Sequence, residues 1–207
     1  MKTKTLALGQ MGTNCYLAWC PDTKEALVVD PGAEAEKILA EIEDLELKVK
    51  YIVNTHGHLD HIGANSALQQ ALHCPIAVGE DDATMLTDAQ QNLSHQVGQP
   101  FTSPAAELLL NHGAKLEFGT CSLKVMATPG HTRGGIGLYG HATLFAGDTL
   151  FQGSIGRSDL PGGNQEQLLE SIRTQFLTLP DETRVLPGHG PETTIGIERQ
   201  SNPWLQG

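Results

Sequence analysis

The sequence predicts an α/β fold, and two observations predict it. Short apolar runs such as Ala26-Leu27-Val28-Val29 and Tyr51-Ile52-Val53 alternate with longer segments whose apolar residues recur at helical spacing. Four separate predicted strands then end in glycine-flanked loops that carry His or Asp. Open α/β sheets place their ligands at the carboxyl ends of strands, and helical proteins have no such pattern. With 207 residues the chain suits one domain, 1–207, long enough to bury a sizeable core.

Taken in order, residues 4–8 and 14–19 read as strands around the turn Gly9-Gln10-Met11-Gly12. Residues 26–29 form a short apolar strand that stops at Asp30-Pro31-Gly32, which is turn chemistry. Residues 33–45 are a helix, because Ile38, Leu39, Ile42 and Leu45 share a face. A strand over 49–53 delivers the run Thr55-His56-Gly57-His58-Leu59-Asp60-His61, and a helix over 62–72 follows at once. A short strand at 75–78 precedes a helix expected over 80–93, with Ala83, Leu86 and Ala89 as its apolar face. The pattern then fails from 94 to 104, where Gly98, Pro100, Ser103 and Pro104 indicate a surface loop and a candidate flap over the site. Strands follow at 108–110, 115–118 and 122–127, then a loop carrying His131. Residues 135–139 and 142–146 form a hairpin through Gly140-His141, and the second strand ends at Gly147-Asp148-Thr149. After a glycine-rich stretch at 151–164 come a helix at 165–177, a last strand at 183–186 ending beside His189, and a weak helix at 192–200.

Composition narrows the function classes. Charged residues are 18% and apolar residues 39%, the balance of a folded globular chain. The net charge of −11 comes with no basic stripe, so nucleic acid is not an expected partner. No stretch approaches eighteen apolar residues, and the apolar run after Met1-Lys2-Thr3-Lys4 breaks at Gly9-Gln10, so neither a membrane span nor a signal segment is expected. Cys15, Cys20, Cys74 and Cys121 form no Cys-x-x-Cys pair and read as buried free thiols of a cytoplasmic protein.

The chemistry concentrates in seven side chains: His56, His58, Asp60, His61, His131, Asp148 and His189. In an extended strand end, residues i and i+2 point the same way, so His56 and His58 can reach one ion at the roughly 2.0–2.1 Å of a zinc–nitrogen bond. Seven ligands suit two ions, since a catalytic zinc takes about three protein ligands and keeps an open position. One division assigns His56, His58 and His131 to the first ion and Asp60, His61 and His189 to the second. Asp148, with two oxygens, then bridges ions roughly 3.5–4 Å apart. A water between them would ionise near neutral pH, giving a hydroxide beside a Lewis acid that is suited to attack on a carbonyl. Asp60 can orient that hydroxide, and Asp148 holds the pair together, so both are candidate catalytic residues. Zinc is the expected metal, and carboxylate-plus-imidazole ligation also accommodates iron or manganese. His73, His95, His112 and His141 read as bystanders.

Thr55 to His61, followed by Pro129-Gly130-His131-Thr132, Ala146-Gly147-Asp148-Thr149-Leu150-Phe151 and Pro187-Gly188-His189-Gly190-Pro191, resembles the metallo-β-lactamase superfamily. Within it the chain is similar to the short glyoxalase II-like hydrolases, over residues 14–191. The resemblance implies an αβ/βα sandwich, in which two mixed sheets face each other, helices cover the outside and two zinc ions lie at one edge. It implies the same division of ligands. It also implies a thioesterase that uses a metal-bridging hydroxide to cleave S-lactoylglutathione-type or related acyl bonds, with a small-molecule thioester as partner.

The substrate side departs from the glyoxalase II pattern. Eighteen residues follow His189, where those enzymes carry a helical extension that grips glutathione. Arg157 matches their basic position, but Asp159 stands where a tyrosine is expected. Arg157 and Asp159 are therefore either substrate-binding residues, with Arg157 on a carboxylate, or a local ion pair that orders the glycine loop. The run Gly156-Arg157-Ser158-Asp159 also resembles the persulfide dioxygenases, which use one iron held by two His and an Asp. A non-catalytic binding protein with a degenerate site is the third class, and the complete ligand set argues against it. Nuclease activity would call for basic surface, and lactamase activity for a secretion signal.

Overall fold

The computed structural model describes residues 1–206. Its first sheet holds β1 (Lys2–Leu8), β2 (Thr13–Trp19), β3 (Glu25–Val29), β4 (Lys48–Asn54), β5 (Ile76–Gly79) and β6 (Leu108–Leu110), side by side in chain order. The pairs from β1 to β3 are antiparallel and those from β3 to β6 are parallel. The second sheet is built from β7 (Lys115–Phe118), β8 (Cys121–Ala127), β9 (Ile136–Gly140), β10 (Thr143–Gly147), and, after the small hairpin β11 (Leu150–Phe151) with β12 (Ser154–Ile155), from β13 (Arg184–Pro187) and β14 (Thr193–Thr194). Its order is β14-β13-β10-β9-β8-β7, and its one parallel pair is β10 with β13.

Why two sheets should face each other follows from burial on both faces. In β3, Leu27 and Val29 join the core shared with Leu123, Val125, Leu138 and Phe145 of the second sheet. Their neighbours Ala26 and Val28 point the other way, against the outer helices. A strand buried on both faces reads as a continuous apolar run, not an alternating one. The outer face of the first sheet is covered by α1 (Ala35–Asp44) and α3 (Asn65–Leu72), which insert Ile38, Ile42 and Leu68. Between β4 and α3 lies the single turn α2 (Leu59–Ile62), and after β5 the single turn α4 (Ala83–Leu86). The second sheet is covered by α5 (Gln165–Ser171), its wider π-type continuation Ile172–Phe176, and α6 (Ile195–Ser201). They contribute Leu168, Ile172, Phe176 and Ile195 to the core with Leu144, Ala146 and Val185. Each fully buried side chain of this kind adds about 1.5–3 kcal/mol relative to exposure. The architecture is the expected four-layer αβ/βα sandwich.

One expected helix is not formed. Residues 80–93 make only a 3₁₀ turn at Glu80–Asp82 and α4, then irregular turns. The physical reason lies in two aspartates. Asp82 turns inward and is fully buried. Asp88 accepts hydrogen bonds from the backbone N–H groups of Gln90 (2.8 Å) and Gln91 (3.3 Å), which competes with helix continuation. The helix expected over 62–72 forms as α3, starting at Asn65, and the separate turn α2 stands before it. The loop after residue 93 is tethered at both ends: Ser94 and Ser103 are buried, and Ser94 Oγ bonds both Phe101 N–H and Phe101 C=O at 3.0 Å. All four cysteines are buried free thiols. No helix among the described residues is long and apolar enough to cross a membrane.

Candidate metal centre

All four predicted ligand loops meet at one edge of the sandwich. The parallel register of β10 and β13, with Gly147 opposite Pro187, brings Asp148 and His189 to the same level. An isolated bridge between Thr13 and His189 and the 2.7 Å bond from Asn14 N–H to Gly188 C=O tie that edge to the first sheet. β4 delivers His56 and His58, and α2 carries Asp60 and His61.

Three overlapping donor sets result: His56, His58 and His131; His56, His61 and Asp148; Asp60, His61 and His189, each with donor atoms within 4.8 Å of one another. His58 Nδ1 lies 3.0 Å from His131 Nε2, and His189 Nε2 lies 3.1 Å from Asp60 Oδ2. Asp148 stands between the groups. Its Oδ1 is 3.4 Å from His61 Nε2, and its Oδ2 is 3.7 Å from His131 Nε2 and 3.6 Å from His189 Nε2. Two donors held at ~2.1 Å by one tetrahedral ion lie roughly 3.4 Å apart, so these separations are those of a ligand shell.

Hydrogen bonding gives an independent test of fit. Among the described residues, six buried side-chain polar atoms lack a hydrogen-bond partner, and five of them belong to this cluster: His56 Nε2, His58 Nε2, both nitrogens of His61 and Asp148 Oδ1. Buried polar groups are otherwise almost always satisfied. The atoms left over here are of the type that binds a divalent cation, and the residues fit a metal site.

The charge of His56 and His58 and the tautomers of His56 and His131 point the same way. Burial holds the His56 imidazolium well below its ordinary pKa, helped by the neighbouring His61 and His131. Burial and His131 bring His58 down to about 3. Both rings are therefore neutral, as ligands must be. Burial alone would also lower His61, but Asp60, Asp148 and Asp30 outweigh it and push it up to about 10. For Asp60, burial acts upward and is outweighed by His61, by the His189 hydrogen bond and by Thr13, so its carboxyl stays below the usual range. Thr55 Oγ1 donates to Asp30 Oδ2 at 2.7 Å and lies 3.2 Å from His56 Nδ1. Its lone pair can accept only if Nδ1 carries the proton, which leaves His56 Nε2 free. His131 Nδ1 donates to Arg157 C=O at 2.6 Å, which leaves His131 Nε2 free.

Three residues outside the predicted ligand set hold this arrangement. Asp30 accepts from Thr55 N–H and Thr55 Oγ1, both at 2.7 Å, and its Oδ2 lies 3.1 Å from His61 Nδ1, obliquely to the ring's hydrogen-bonding direction. It does so with a left-handed backbone, φ 51°, a conformation Asp tolerates better than most residues. Thr13 Oγ1 donates to Asp60 Oδ2 at 2.9 Å. Asp82 accepts from Gly57 N–H (3.1 Å), Thr132 Oγ1 (2.7 Å) and Gly134 N–H (2.6 Å), which joins the His56–His58 loop to the His131 loop. Asp82→Ala strands all three donors at about 1–3 kcal/mol each. We expect it to destabilise the protein by at least ~2 kcal/mol in denaturant titrations and to lower metal retention in elemental analysis.

Arg157 and Asp159 form a bidentate ion pair, with Nε and Nη2 each 2.8 Å from a carboxylate oxygen, on the exposed surface. The Arg157 hydrogen bond holds the Asp159 carboxyl down at about 2. The ion-pair arrangement of the two alternatives is thus present, and the Arg157 main chain also positions His131. His73, His95, His112 and His141 are exposed and lie outside the donor sets.

An αβ/βα sandwich with a paired His/Asp donor cluster at its edge defines a class of metal-binding enzyme folds. Residues 8–189 match the family model of the metallo-beta-lactamase superfamily, and the chain belongs to that superfamily. It is 40% identical to hydroxyacylglutathione hydrolase GloC of Haemophilus influenzae, over 93% of this chain and 92% of that protein. Its fold matches the crystal structure of BLEG-1 B3 metallo-beta-lactamase with a TM-score of 0.95 and 40% identity, each chain covered fully. It also matches TTHA1623 in a di-iron-bound form, with a TM-score of 0.87 and 37% identity, over 98% of this chain and 100% of that one.

Proposed function

We propose that this protein is a metal-dependent hydrolase of acyl thioesters. The observation that carries the reading is the junction of two donor sets on Asp148 at the open edge of the sandwich. Similarity to GloC supports hydroxyacylglutathiones, S-lactoylglutathione among them, as the first substrates to test.

Hydrolysis adds water across the carbon–sulfur bond: the acyl carbon gains the hydroxyl, and the departing sulfur takes the proton. A pair of metal ions, when bound, supplies Lewis acidity and an acidified water. The protein's own work is placement. His56, His58 and His131 form one ligand face; Asp60, His61 and His189 form the other; Asp148 spans both. Asp60, held by Thr13, orients the attacking water. Thr55 and the Arg157 carbonyl keep His56 and His131 in the tautomers that leave Nε2 free. The exposed Arg157 guanidinium exchanges its Asp159 partner for a carboxylate of the substrate. Arg157→Ala is accordingly expected to raise KM for S-lactoylglutathione about tenfold with little change in kcat, measured by steady-state kinetics.

Zinc is the proposed metal, and the di-iron form of TTHA1623 makes iron the alternative to test. Elemental analysis of the purified protein alongside a thioester panel tests the whole reading. Two metals per chain with thioester cleavage supports it. One iron per chain with rapid oxygen uptake on glutathione persulfide, and no thioester cleavage, would overturn it in favour of a dioxygenase.

A further inference from the structure

We propose that Asn14, in the first sheet, is a positioning residue for His189 at the edge of the second, and that it sets the affinity of one of the two metal positions without setting the other. The proposal rests on the two-ion reading of the donor cluster and adds to it which ion depends on the contact between the sheets.

Asn14 holds the His189 loop from both sides. Its side-chain Nδ2 donates to Pro187 C=O at 3.0 Å and to Gly190 C=O at 2.9 Å, and its backbone N–H donates to Gly188 C=O at 2.7 Å. His189 itself forms a β-bridge with Thr13, the residue before Asn14. Further along β2, Tyr16 adds its hydroxyl to Pro187 C=O at 2.5 Å. An amide suits this place because its NH₂ carries two donors, and the loop presents two carbonyls to it. An aspartate of the same size would turn lone pairs toward both. Asn14 and Tyr16 are buried, so these bonds are not readily replaced by water.

His189 depends on its backbone more than the other imidazoles do. His56 is backed by Thr55 Oγ1, His131 by the Arg157 carbonyl, and the fully buried His61 lies against Asp30. A group behind the ring fixes the orientation of a ligating imidazole. The His189 side chain is 30% exposed, and its ring meets Asp60, Asp148 and His61, which are fellow donors, and the ring of Phe151. Its place is therefore set by where the chain puts its Cα, and Asn14 bonds the residues on either side of that Cα.

The effect falls on one ion. Asn14 and Tyr16 bond the loop at 187–190, which contains no member of the His56, His58 and His131 set. That set is joined instead by Asp82, through Gly57, Thr132 and Gly134. Thr13 donates to Asp60 Oδ2 at 2.9 Å, so two successive residues of β2 serve two ligands of the same donor set, Asp60 and His189. Removing a group that orients a ligand lowers metal affinity by about 10–100-fold.

Zinc-loaded protein titrated with a chromophoric chelator reports the two affinities as the ions are withdrawn, and it tests this. The parent is expected to release two ions. Asn14→Ala is expected to weaken one binding event by about tenfold or more and to leave the other within about twofold of the parent. His189→Ala is expected to weaken the same event. Asn14→Thr keeps a similar volume, suits a strand and lacks the amide, so it serves as the second variant and is expected to show the same split. A merely structural role moves both affinities together. Equal weakening of both events, no weakening of either, weakening of the event that His189→Ala spares, or failure of both variants to fold overturns the proposal. A parent that holds one ion overturns the two-ion reading and the proposal with it. Thioester cleavage by the parent is assayed in parallel: the selective loss in a protein that cleaves no thioester leaves the role of Asn14 standing and removes the hydrolase reading.

Discussion

Asp148→Ala is expected to abolish turnover, by more than ~100-fold, while leaving the metal-free protein as stable as the parent. Asp148 faces both outer donor sets, at 3.4 Å from His61 Nε2 and 3.6–3.7 Å from the Nε2 atoms of His189 and His131. Its removal disconnects two ligand faces that the remaining histidines cannot rejoin. The stability half of the prediction comes from the same atoms. Asp148 Oδ1 is a buried oxygen without a hydrogen-bond partner, so the metal-free fold loses no bond there when the carboxylate goes. A ligand that binds only the native state raises Tm by mass action. The expected signature is therefore an unchanged Tm in chelator, together with a lost Tm rise on adding zinc. A fall in Tm in chelator as large as the fall in metal-loaded protein would assign Asp148 a structural role instead. His58→Ala is expected to follow the same pattern.

Gly188→Ala is expected to lower activity by about 100-fold through displacement alone, with every ligand still present. A β-carbon at position 188 would sit 2.0 Å from Asp148 Oδ1 and 2.8 Å from His61 Cε1, against the spanning carboxylate and one of the imidazoles beside it. The backbone cannot retreat cheaply. Gly188 N–H donates to Gly147 C=O at 2.8 Å, and Gly188 C=O accepts from Asn14 N–H at 2.7 Å. The strain falls on the side chains of Asp148 and His61, and their separation must grow. Metal stoichiometry and kcat measured together check this. Full metal occupancy with parental kcat would show that the edge adjusts more freely than its hydrogen bonds suggest.

The seven predicted ligands were legible because their signal is local. Each lies in a loop or turn that follows a strand, five of them directly beside a glycine, and four of them fall within His56 to His61. The strands were legible for a similar reason, since burial on both faces writes unbroken apolar runs such as 26–29 and 144–146. Asp30 and Asp82 escaped because their partners lie 25 or more residues away and their neighbours suggest something else. Asp30 precedes Pro31-Gly32 and reads as a turn residue; Asp82 follows Glu80 and Asp81 and reads as a helix start. A usable hint existed at Asp30, which ends an apolar strand as Asp148 does. The same long-range pull on Asp82, together with the side-chain capping by Asp88, is what cut short the helix expected over 80–93. For Arg157 and Asp159, residue types alone allowed two roles, and the 2.8 Å bidentate contact shows that the ion pair forms.

Side-chain chemistry and its spacing along the chain were enough to point to an α/β protein whose strand ends carry a His/Asp donor cluster. Covalent neighbours and the periodicity of burial encode such facts, and both are written in one dimension. Which donor faces which, which ring nitrogen is left free, and that Asn14 holds the chain on both sides of His189 emerge only once two sheets pack face to face. Those relations join residues far apart in the chain, and it is the packing of the whole sandwich that sets the distances between them.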